Sequence, residues 1–305
     1  MFPDFIGIGA MRSGTTWLYE ALNTHPDIYL ARPKELHFFD RVVLSEGLDW
    51  YLEKFDGKRN KKGASIRGEI TPAYSTLKKS TVVSIKALMP NLRLFLILRH
   101  PVERAFSHVL LEFGRMRGQT FAEVPVTRFL RIFERERIKR RTDYARMLRI
   151  WWGQFGKEAV YVGLYEDLQK DPLGHLQGIC RHIGVNPDWQ VPESILHTRV
   201  HGAQILAMPD VIRWYLSRQW LEQTREANGM LNGRLGHWIS EMEEWADDSS
   251  CLWRFRSALN KGLLALPEHI GYAFYDTLRD YWLQRRCAAV IAQAGSLGLV
   301  KRPAV

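Results

Sequence analysis

The residues between Gly9 and Thr16 have the composition of an anion-binding turn. They follow a short apolar run, Phe5–Gly9, and lead into the apolar start of a helix, Thr15–Leu22. A strand, tight turn and helix in this order aim backbone N–H groups and the positive end of the helix dipole at one point, where a phosphate group binds. The candidate ligand residues are Arg12, Ser13, Gly14, Thr15, Thr16 and Trp17.

This turn departs from the loop that binds nucleoside triphosphates. Gly9 to Thr16 fits the pattern G-x-x-x-x-G-K-[ST] except that Thr15 stands in place of the lysine. Such enzymes also need an acidic group on a later strand to hold magnesium, whereas the run Leu92–Leu98 ends in Arg99. We expect a donor with fewer phosphates, held by amides, hydroxyls and arginines without a metal. A magnesium-dependent nucleotide kinase with a degenerate loop is the alternative.

A second cluster of titratable residues follows directly after another predicted strand. Glu35, His37 and Asp40 surround the pair Phe38-Phe39. Group transfer to a hydroxyl needs a base near the acceptor oxygen and positive charge near the leaving oxygen. Glu35 is the candidate base, on the condition that apolar surface and a like charge tune its pKa towards neutral pH. The alternative is that His37 caps a turn and both rings belong to the core.

Two segments of the chain resemble a known enzyme family. Met11–Leu18 is similar to the 5′-phosphosulfate loop of sulfotransferases, which use 3′-phosphoadenosine 5′-phosphosulfate (PAPS). Leu98–His108 is similar to the strand-to-helix segment that binds the 3′-phosphate of this donor. The resemblance implies that Arg12 stabilises the leaving phosphate and that Arg99 and Ser107 hold the 3′-phosphate. No metal is implied.

The cluster around Glu35 resembles the catalytic segment of the glycan, heparan-type branch of this family. The resemblance implies Glu35 as base, His37 as a catalytic helper and Asp40 as a substrate contact. One departure is Ile70, because the glycan branch often has a lysine before its Thr-Pro pair. A glycan or glycolipid hydroxyl is the preferred acceptor, and the hydroxyl of a lipid or small molecule is the alternative.

The arrangement of apolar runs predicts the fold. In the first half of the chain, short β-rich runs alternate with amphipathic helical stretches, which is typical of a parallel sheet flanked by helices. Helices rich in Trp and Arg follow from about Pro209. We therefore predict an α/β core over residues 1–202 and a helical extension over residues 203–305. The apolar segment Gly262–Tyr275 is predicted to be a packed helix or helix pair.

Positive charge is concentrated in one part of the chain. The net charge is +10, and residues 115–149 hold eleven Lys and Arg against four acids. A basic face favours an anionic glycan, a phosphorylated acceptor or an anionic membrane surface. A solvated basic helix and a non-catalytic basic docking module are the alternatives. Nucleic acid is not expected as a partner, because no nucleic-acid module accompanies the charge.

Cysteine usage and the first residues bear on the class of protein. The three cysteines lie far apart and form no C-x-x-C pair, which argues against a disulfide framework or a zinc site. The first residues lack a basic region before an apolar stretch, and no apolar run is long enough to cross a bilayer. We expect a cytoplasmic enzyme, with or without a peripheral contact to a membrane.

Overall fold

The computed structural model describes residues 1–56, 63–115, 126–196, 207–248, 250–251 and 286–295. The predicted helical segment Gly262–Tyr275 and residues 116–125 of the basic stretch lie outside these ranges. The chain divides into two compact units, and each has an apolar core of its own. The first unit comprises Met1–Leu98, Arg149–Val200 and Asp276–Val305, and the second comprises Arg99–Leu148 and His201–Tyr275.

The first unit is built on a five-stranded parallel sheet. Its strands are β1 (Phe5–Gly9), β2 (Ile28–Leu30), β3 (Ile66–Ile70), β4 (Arg93–Leu98) and β5 (Val160–Leu164). The strand order is β2-β3-β1-β4-β5, and every pairing is parallel. Most strand residues are buried, as expected for parallel strands with both faces covered. The predicted α/β fold with a central parallel sheet is confirmed.

The helices follow the strands in the alternation that the sequence predicts. They are α1 (Thr15–Leu22), α2 (Leu48–Glu53), α3 (Lys79–Leu88), α4 (Pro101–Arg115), α5 (Val126–Phe133), α6 (Glu136–Thr142), α7 (Tyr144–Phe155), α8 (Tyr165–Lys170), α9 (Pro172–Ile183), α10 (Glu193–Leu196), α11 (Asp210–Met230) and α12 (Gly236–Ala246). Two short 3-10 helices cover Val42–Leu44 and Pro72–Thr76. Residues 286–295 are also helical.

Apolar side chains at helical spacing fix α1 and α9 in the core of the first unit. Leu18 and Leu22 of α1 are fully buried in one cluster with Leu176 and Ile179 of α9. The start of α9 follows from its sequence, because Pro172 lies in its first turn and the preceding Asp171 side chain accepts a hydrogen bond from the Gly174 amide. The packing of α1 and α9 therefore fixes the helices that flank the sheet.

The second unit is helical in the residues that the structure describes. Its core includes Val102 and Val109 of α4, Phe133 of α5 and Leu216 of α11. The turn Asn232-Gly233 between α11 and α12 has left-handed φ angles of 53° and 84°, which Asn and Gly tolerate best. The division into a core over residues 1–202 and an extension over 203–305 stays a prediction.

Candidate functional site

The turn after β1 has an unusual backbone. Ala10 donates its amide hydrogen to the Ile97 carbonyl at 2.8 Å, and α1 begins directly after Gly14. Arg12 and Gly14 both have left-handed φ angles, 71° and 77°. A Cβ on Gly14 would lie 2.8 Å from the Leu168 side chain, so only glycine fits there without a shift. Left-handed backbone at a residue such as Arg12 is costly and concentrates at ligand-binding sites.

The polar groups of this turn suit a bound anion. The Ser13 side chain is fully buried, and its hydroxyl has no hydrogen-bond partner among the residues that the structure describes. Such a buried hydroxyl is costly, and an anionic oxygen at the N-terminus of α1 would accept its hydrogen. Thr15 is buried beside it, while Arg12 and Thr16 are half-buried. The residues present therefore fit a phosphate or phosphosulfate group.

Trp17 contributes differently from the other residues of the turn. Its indole N–H donates to the carbonyl of Ile195 in α10 at 2.8 Å, and its ring is buried in the core of the first unit. The indole nitrogen is therefore engaged within the protein. The predicted role of Trp17 in binding the sulfuryl donor stays a prediction. It is limited to the backbone amide and the face of the ring, because the indole nitrogen is already engaged.

Glu35, His37 and Asp40 form a linked row of charges, as the sequence predicts. His37 Nε2 lies 3.3 Å from Glu35 Oε2, and His37 Nδ1 lies 3.0 Å from both Asp40 carboxylate oxygens. Lys34 Nζ donates to Glu35 Oε1 at 2.6 Å. Both ring nitrogens of His37 are thus placed between carboxylates, and the Glu35 carboxylate is placed between two cations.

The protonation of Glu35 is set by its neighbours. Burial pushes its pKa upward, but hydrogen bonds with His37 and Lys34 outweigh burial and lower the pKa from 4.5 to about 2. The condition of a pKa near neutral is therefore not met. The physical reason is that two cations, rather than a like charge, lie next to this carboxylate.

His37 is shifted in the opposite direction. Burial favours the neutral ring, but hydrogen bonds with Asp40 and Glu35 outweigh it and raise the pKa of His37 from 6.5 to about 9. The ring is therefore a cation at neutral pH. The alternative in which His37 only caps a turn is incomplete, because the ring bonds two carboxylate side chains. The adjacent Phe38 and Phe39 do belong to the core, since both are buried.

A hydrogen-bond network around the buried Glu69 is linked to the backbone of the segment that carries this row. Glu69, at the end of β3, is 1% exposed and accepts hydrogen bonds from the Tyr51 hydroxyl at 2.6 Å and the Thr71 hydroxyl at 2.7 Å. The Tyr74 hydroxyl lies 3.4 Å from Glu69 and accepts the Phe38 amide hydrogen at 2.8 Å. In the sequence, Glu69 stands at a predicted strand end just before the Thr-Pro pair, where its carboxylate either faces the cleft or is paired within the fold. The structure shows that it is paired.

The 3-10 helix Pro72–Thr76 contacts both candidate loops of the first unit. Through Tyr74 it holds the backbone of Phe38, and through Ser75 it packs against the strand end that enters the anion-binding turn. A Cβ on Gly9 would lie 2.7 Å from the Ser75 Cβ, which shows how close this approach is. By contrast, Ile70, where the glycan branch often has lysine, is fully buried in the apolar cluster.

The remaining two candidates belong to the second unit. Arg99 directly follows β4 and pairs with Glu103 in the first turn of α4 at 3.2 Å, while its carbonyl accepts a hydrogen bond from the Tyr144 hydroxyl at 2.6 Å. Ser107 lies two turns into α4, as predicted, and is 9% exposed. One turn before it, the fully buried Arg104 donates to the Thr142 hydroxyl at 2.6 Å, so α4 carries buried polar groups on this face.

Comparison with known proteins now identifies the family. A family model described as the sulfotransferase domain matches residues 2–247 of the chain. The chain belongs to the sulfotransferase domain family. Among solved structures, a sulfotransferase from Alicyclobacillus acidocaldarius superposes with a TM-score of 0.63 at 25% sequence identity, and the match covers 78% of this chain and 99% of that one.

Curated relatives match this sulfotransferase domain over shorter stretches. The membrane-associated sulfotransferase kil1 of Dictyostelium discoideum is 36% identical over 105 residues, which are 34% of this chain and 22% of that protein. The human heparan sulfate glucosamine 3-O-sulfotransferase 5 is 27% identical over 194 residues, covering 61% of this chain and 54% of that protein. The chain thus spans about half or less of these relatives.

The family membership agrees with the predicted resemblance to the glycan branch, since heparan sulfate O- and N-sulfotransferases are among its relatives. The roles of Glu35, Arg12, His37, Asp40 and the donor-binding residues stay predictions. Within the described ranges, no helix combines the length and the apolar character needed to cross a membrane.

Proposed function

We propose that this sulfotransferase domain is a PAPS-dependent O-sulfotransferase. The observation that carries the proposal is the turn after β1, a strand-to-helix turn with left-handed Arg12 and Gly14 and a buried Ser13 hydroxyl without a described partner. It has the geometry of a phosphate loop and lacks the lysine of nucleoside triphosphatases. Membership of the sulfotransferase domain family supports the same donor class.

The donor-binding roles follow from charge and position. When bound, PAPS supplies a sulfuryl group whose bond to the phosphate oxygen breaks as a bond to the acceptor oxygen forms, the electron pair staying with the phosphate. The amides of the turn, the Ser13 hydroxyl and the Arg12 guanidinium would stabilise the charge on that oxygen. Thr15 and Thr16 would add hydroxyl hydrogen bonds. Arg99 and Ser107 would hold the 3′-phosphate through charge-assisted bonds.

Glu35 is the proposed general base. Its low pKa means that the carboxylate is ionised at neutral pH and able to accept the acceptor's proton. The ion pairs with Lys34 and His37 orient it, but they also weaken it as a base, since proton transfer must overcome their stabilisation of the charge. Binding of substrates that draw Lys34 or His37 away would strengthen Glu35 as a base. His37 would thereby assist catalysis, and Asp40 would hold the ring and contact the acceptor.

The proposed acceptor is a hydroxyl of an anionic glycan or glycolipid. The relatives named as heparan sulfate sulfotransferases and the net charge of +10 support this class. The buried Ile70, in place of the lysine of the glycan branch, leaves a lipid or small-molecule hydroxyl as the second candidate. A cytoplasmic location with a peripheral membrane contact is part of the proposal, and the membrane-associated relative supports the contact.

The deciding experiment is calorimetric titration with 3′-phosphoadenosine 5′-phosphate (PAP), the desulfated donor, alongside ATP with and without magnesium. We expect PAP to bind without metal and to lose most of its affinity in Arg12→Ala and Arg99→Ala. Glu35→Ala should bind PAP with an affinity close to that of the wild type yet lose about 10²-fold or more of its turnover with PAPS.

Other outcomes would redirect the assignment. Binding of ATP only with magnesium, with no binding of PAP, would favour a nucleotide kinase. Full turnover in Glu35→Ala would remove Glu35 as the base and leave the donor assignment standing.

A further inference from the structure

The carboxylate of Glu69 is buried and is connected to the segment that carries the proposed base through hydrogen bonds. It is 1% exposed at the end of β3, where hydroxyls of Tyr51 and Thr71 donate to its two oxygens. Burying a carboxylate is expensive, and well-packed apolar residues usually stabilise a core at least as well as a buried charge does. The acid at this position therefore calls for a reason other than the stability of the core.

Tyr74 connects Glu69 to the segment that carries the proposed base. Its hydroxyl accepts the Phe38 amide hydrogen at 2.8 Å and lies 3.4 Å from Glu69 Oε1, to which it can donate its own hydrogen. The Phe38 ring stacks on Tyr51, another Glu69 partner, with ring centroids 4.6 Å apart. The backbone and the side chain of Phe38 are thus both held by residues that bond Glu69.

The segment from Glu35 to Asp40 requires such support. Glu35 and His37 have left-handed φ angles of 63° and 53°, a conformation that non-glycine residues keep only where their surroundings enforce it. Within the segment, the His37 carbonyl accepts hydrogen bonds from the amides of Arg41 and Val42. Phe38 follows His37 directly, so the bond from its amide to Tyr74 anchors the segment where its backbone is most constrained.

We propose that Glu69 and Tyr74 are positioning residues for the Glu35–Asp40 segment, in which Glu35 and His37 have left-handed backbones. They act through hydrogen bonds that join the Glu69 carboxylate to the Tyr74 hydroxyl and the Tyr74 hydroxyl to the Phe38 amide. The carboxylate orients the phenol so that a lone pair of its oxygen faces the Phe38 N–H. The kinetic consequence rests on the proposed function, because the segment carries the proposed base. The structural consequence, the geometry around His37, does not depend on activity.

The test compares two variants that each remove one phenol hydroxyl from Glu69. Tyr74→Phe breaks the connection to the Phe38 amide, whereas Tyr51→Phe removes a Glu69 partner and leaves that amide bond in place. For both we would measure the pKa of His37 by NMR titration of the full chain, the affinity for PAP, the melting temperature, and kcat and KM with PAPS. A hydroxyl that served only stability would change the melting temperature alone.

We expect Tyr74→Phe to shift the His37 pKa towards 6.5 and to lower kcat by about tenfold or more, because small misplacements of reacting groups are costly. PAP affinity should stay within about twofold of the wild type, since the anion-binding turn is left intact. Tyr51→Phe should leave the His37 pKa and kcat near the wild-type values. Glu69→Gln preserves the shape of the side chain and should lower the His37 pKa and kcat, as Tyr74→Phe does. It replaces Tyr74→Phe in the test if that variant does not fold.

The proposal is overturned if Tyr74→Phe and Glu69→Gln both keep the wild-type His37 pKa, or if Tyr51→Phe changes His37 and kcat as much as Tyr74→Phe does. A wild-type protein that transfers no sulfate from PAPS to any acceptor would contradict the proposed function instead. In that case the His37 titration by itself decides whether Glu69 and Tyr74 position the segment.

Discussion

At the scale of single residues, the main feature is the alternation of charge along Lys34, Glu35, His37 and Asp40. The neighbouring charges stabilise the carboxylate of Glu35 and the protonated ring of His37. The pKa of Glu35 falls to about 2, and that of His37 rises to about 9. A residue predicted from its own type alone would titrate near its ordinary value, so the contacts decide the chemistry of this row.

One prediction concerns the support that Asp40 gives to His37. Asp40→Asn removes the charge behind the largest interaction that raises the His37 pKa, so we expect this pKa to fall from about 9 by at least about one unit. NMR titration of the imidazole carbon-bound hydrogens measures it. The control is Asp188→Asn, which removes an exposed carboxylate in the loop after α9 and should leave the His37 titration unchanged.

The same variant has a defined effect on stability. A histidine whose pKa is raised by folding stabilises the protein fully below its unfolded pKa of 6.5, and this stabilisation disappears as the pH rises through about 9. Asp40→Asn should therefore be destabilised at pH 6 and approach the wild-type free energy of unfolding at pH 10. An equal difference at both pH values would contradict the ion pair as the cause.

At the scale of elements, the left-handed turn after β1 depends on Gly14, which caps α1. We expect Gly14→Ala to lose about 1–2 kcal/mol from the left-handed backbone, to lose more from displacing Leu168, and to weaken PAP binding. Gly156→Ala is a matched control, because Gly156 has a similar φ of 86° but nothing within 4 Å of its Cβ position. Denaturant unfolding and calorimetry measure the two effects.

The control separates backbone strain from the shape of the turn. Gly156→Ala should lose only the backbone part and bind PAP like the wild type. Wild-type PAP affinity in Gly14→Ala would show that the turn does not bind the donor.

The end of β3 gives a second prediction at this scale, through the pH dependence of stability. Burial raises the pKa of Glu69 from 4.5 to about 7, against hydrogen bonds from Tyr51, Thr71 and Tyr74. Between these values the folded state holds a proton that the unfolded state has lost, so the free energy of unfolding falls as the pH rises, by about 1.4 kcal/mol per unit. The stabilisation that comes from protonating Glu69 is fully present below pH 4.5 and is lost above pH 7.

Below pH 6.5 the His37 shift expected in Glu69→Gln does not alter the pH dependence of stability, so subtracting the unfolding curve of this variant isolates the Glu69 contribution there. We expect the wild type to lose stability relative to Glu69→Gln as the pH rises from 4.5 to 6.5. A flat difference would mean that Glu69 stays ionised in the folded protein across this range.

At the scale of the whole molecule, the net charge of +10 is partly balanced within the second unit. Glu112 pairs with Arg135 and Arg137, Lys139 pairs with Glu134, and Arg140 pairs with Glu136. The basic stretch 115–149 is therefore less of a free cationic surface than its sequence indicates. Exposed ion pairs are weak, so an anionic polymer can compete for these arginines.

We predict that the chain binds heparin, an anionic polysaccharide, and not neutral dextran. Replacing the exposed Arg131 and Arg137 by Gln should weaken heparin binding by up to about thirtyfold, since each of the two lost contacts is worth up to about 1 kcal/mol. The control replaces Arg234 and Arg286, which are exposed elsewhere and lower the net charge equally. Equal losses of heparin affinity in the two double variants would show that net charge alone governs binding. Heparin binding should be abolished by about 1 M salt.

The sequence by itself determined the elements and the positions of the candidate residues. β1 and α1 have the predicted bounds, because alternating apolar runs and helical spacing are local signals. The small residues of the turn, the strand-end Arg99 and the cluster Glu35–Asp40 are equally local. Spacing along a strand or helix fixes which side chains lie near one another over a few residues, so these predictions needed no knowledge of distant contacts.

The tertiary structure decided the protonation of that cluster and the hydrogen-bond network linked to its backbone. The Glu35 pKa depends on which cations face the carboxylate, and the bond between Tyr74 and the Phe38 amide joins residues 36 positions apart. Desolvation and hydrogen bonding depend on three-dimensional contacts that composition does not encode. The burial of Glu69 at the end of β3 likewise results from tertiary packing against the sheet and aromatic side chains, and not from its position in the sequence.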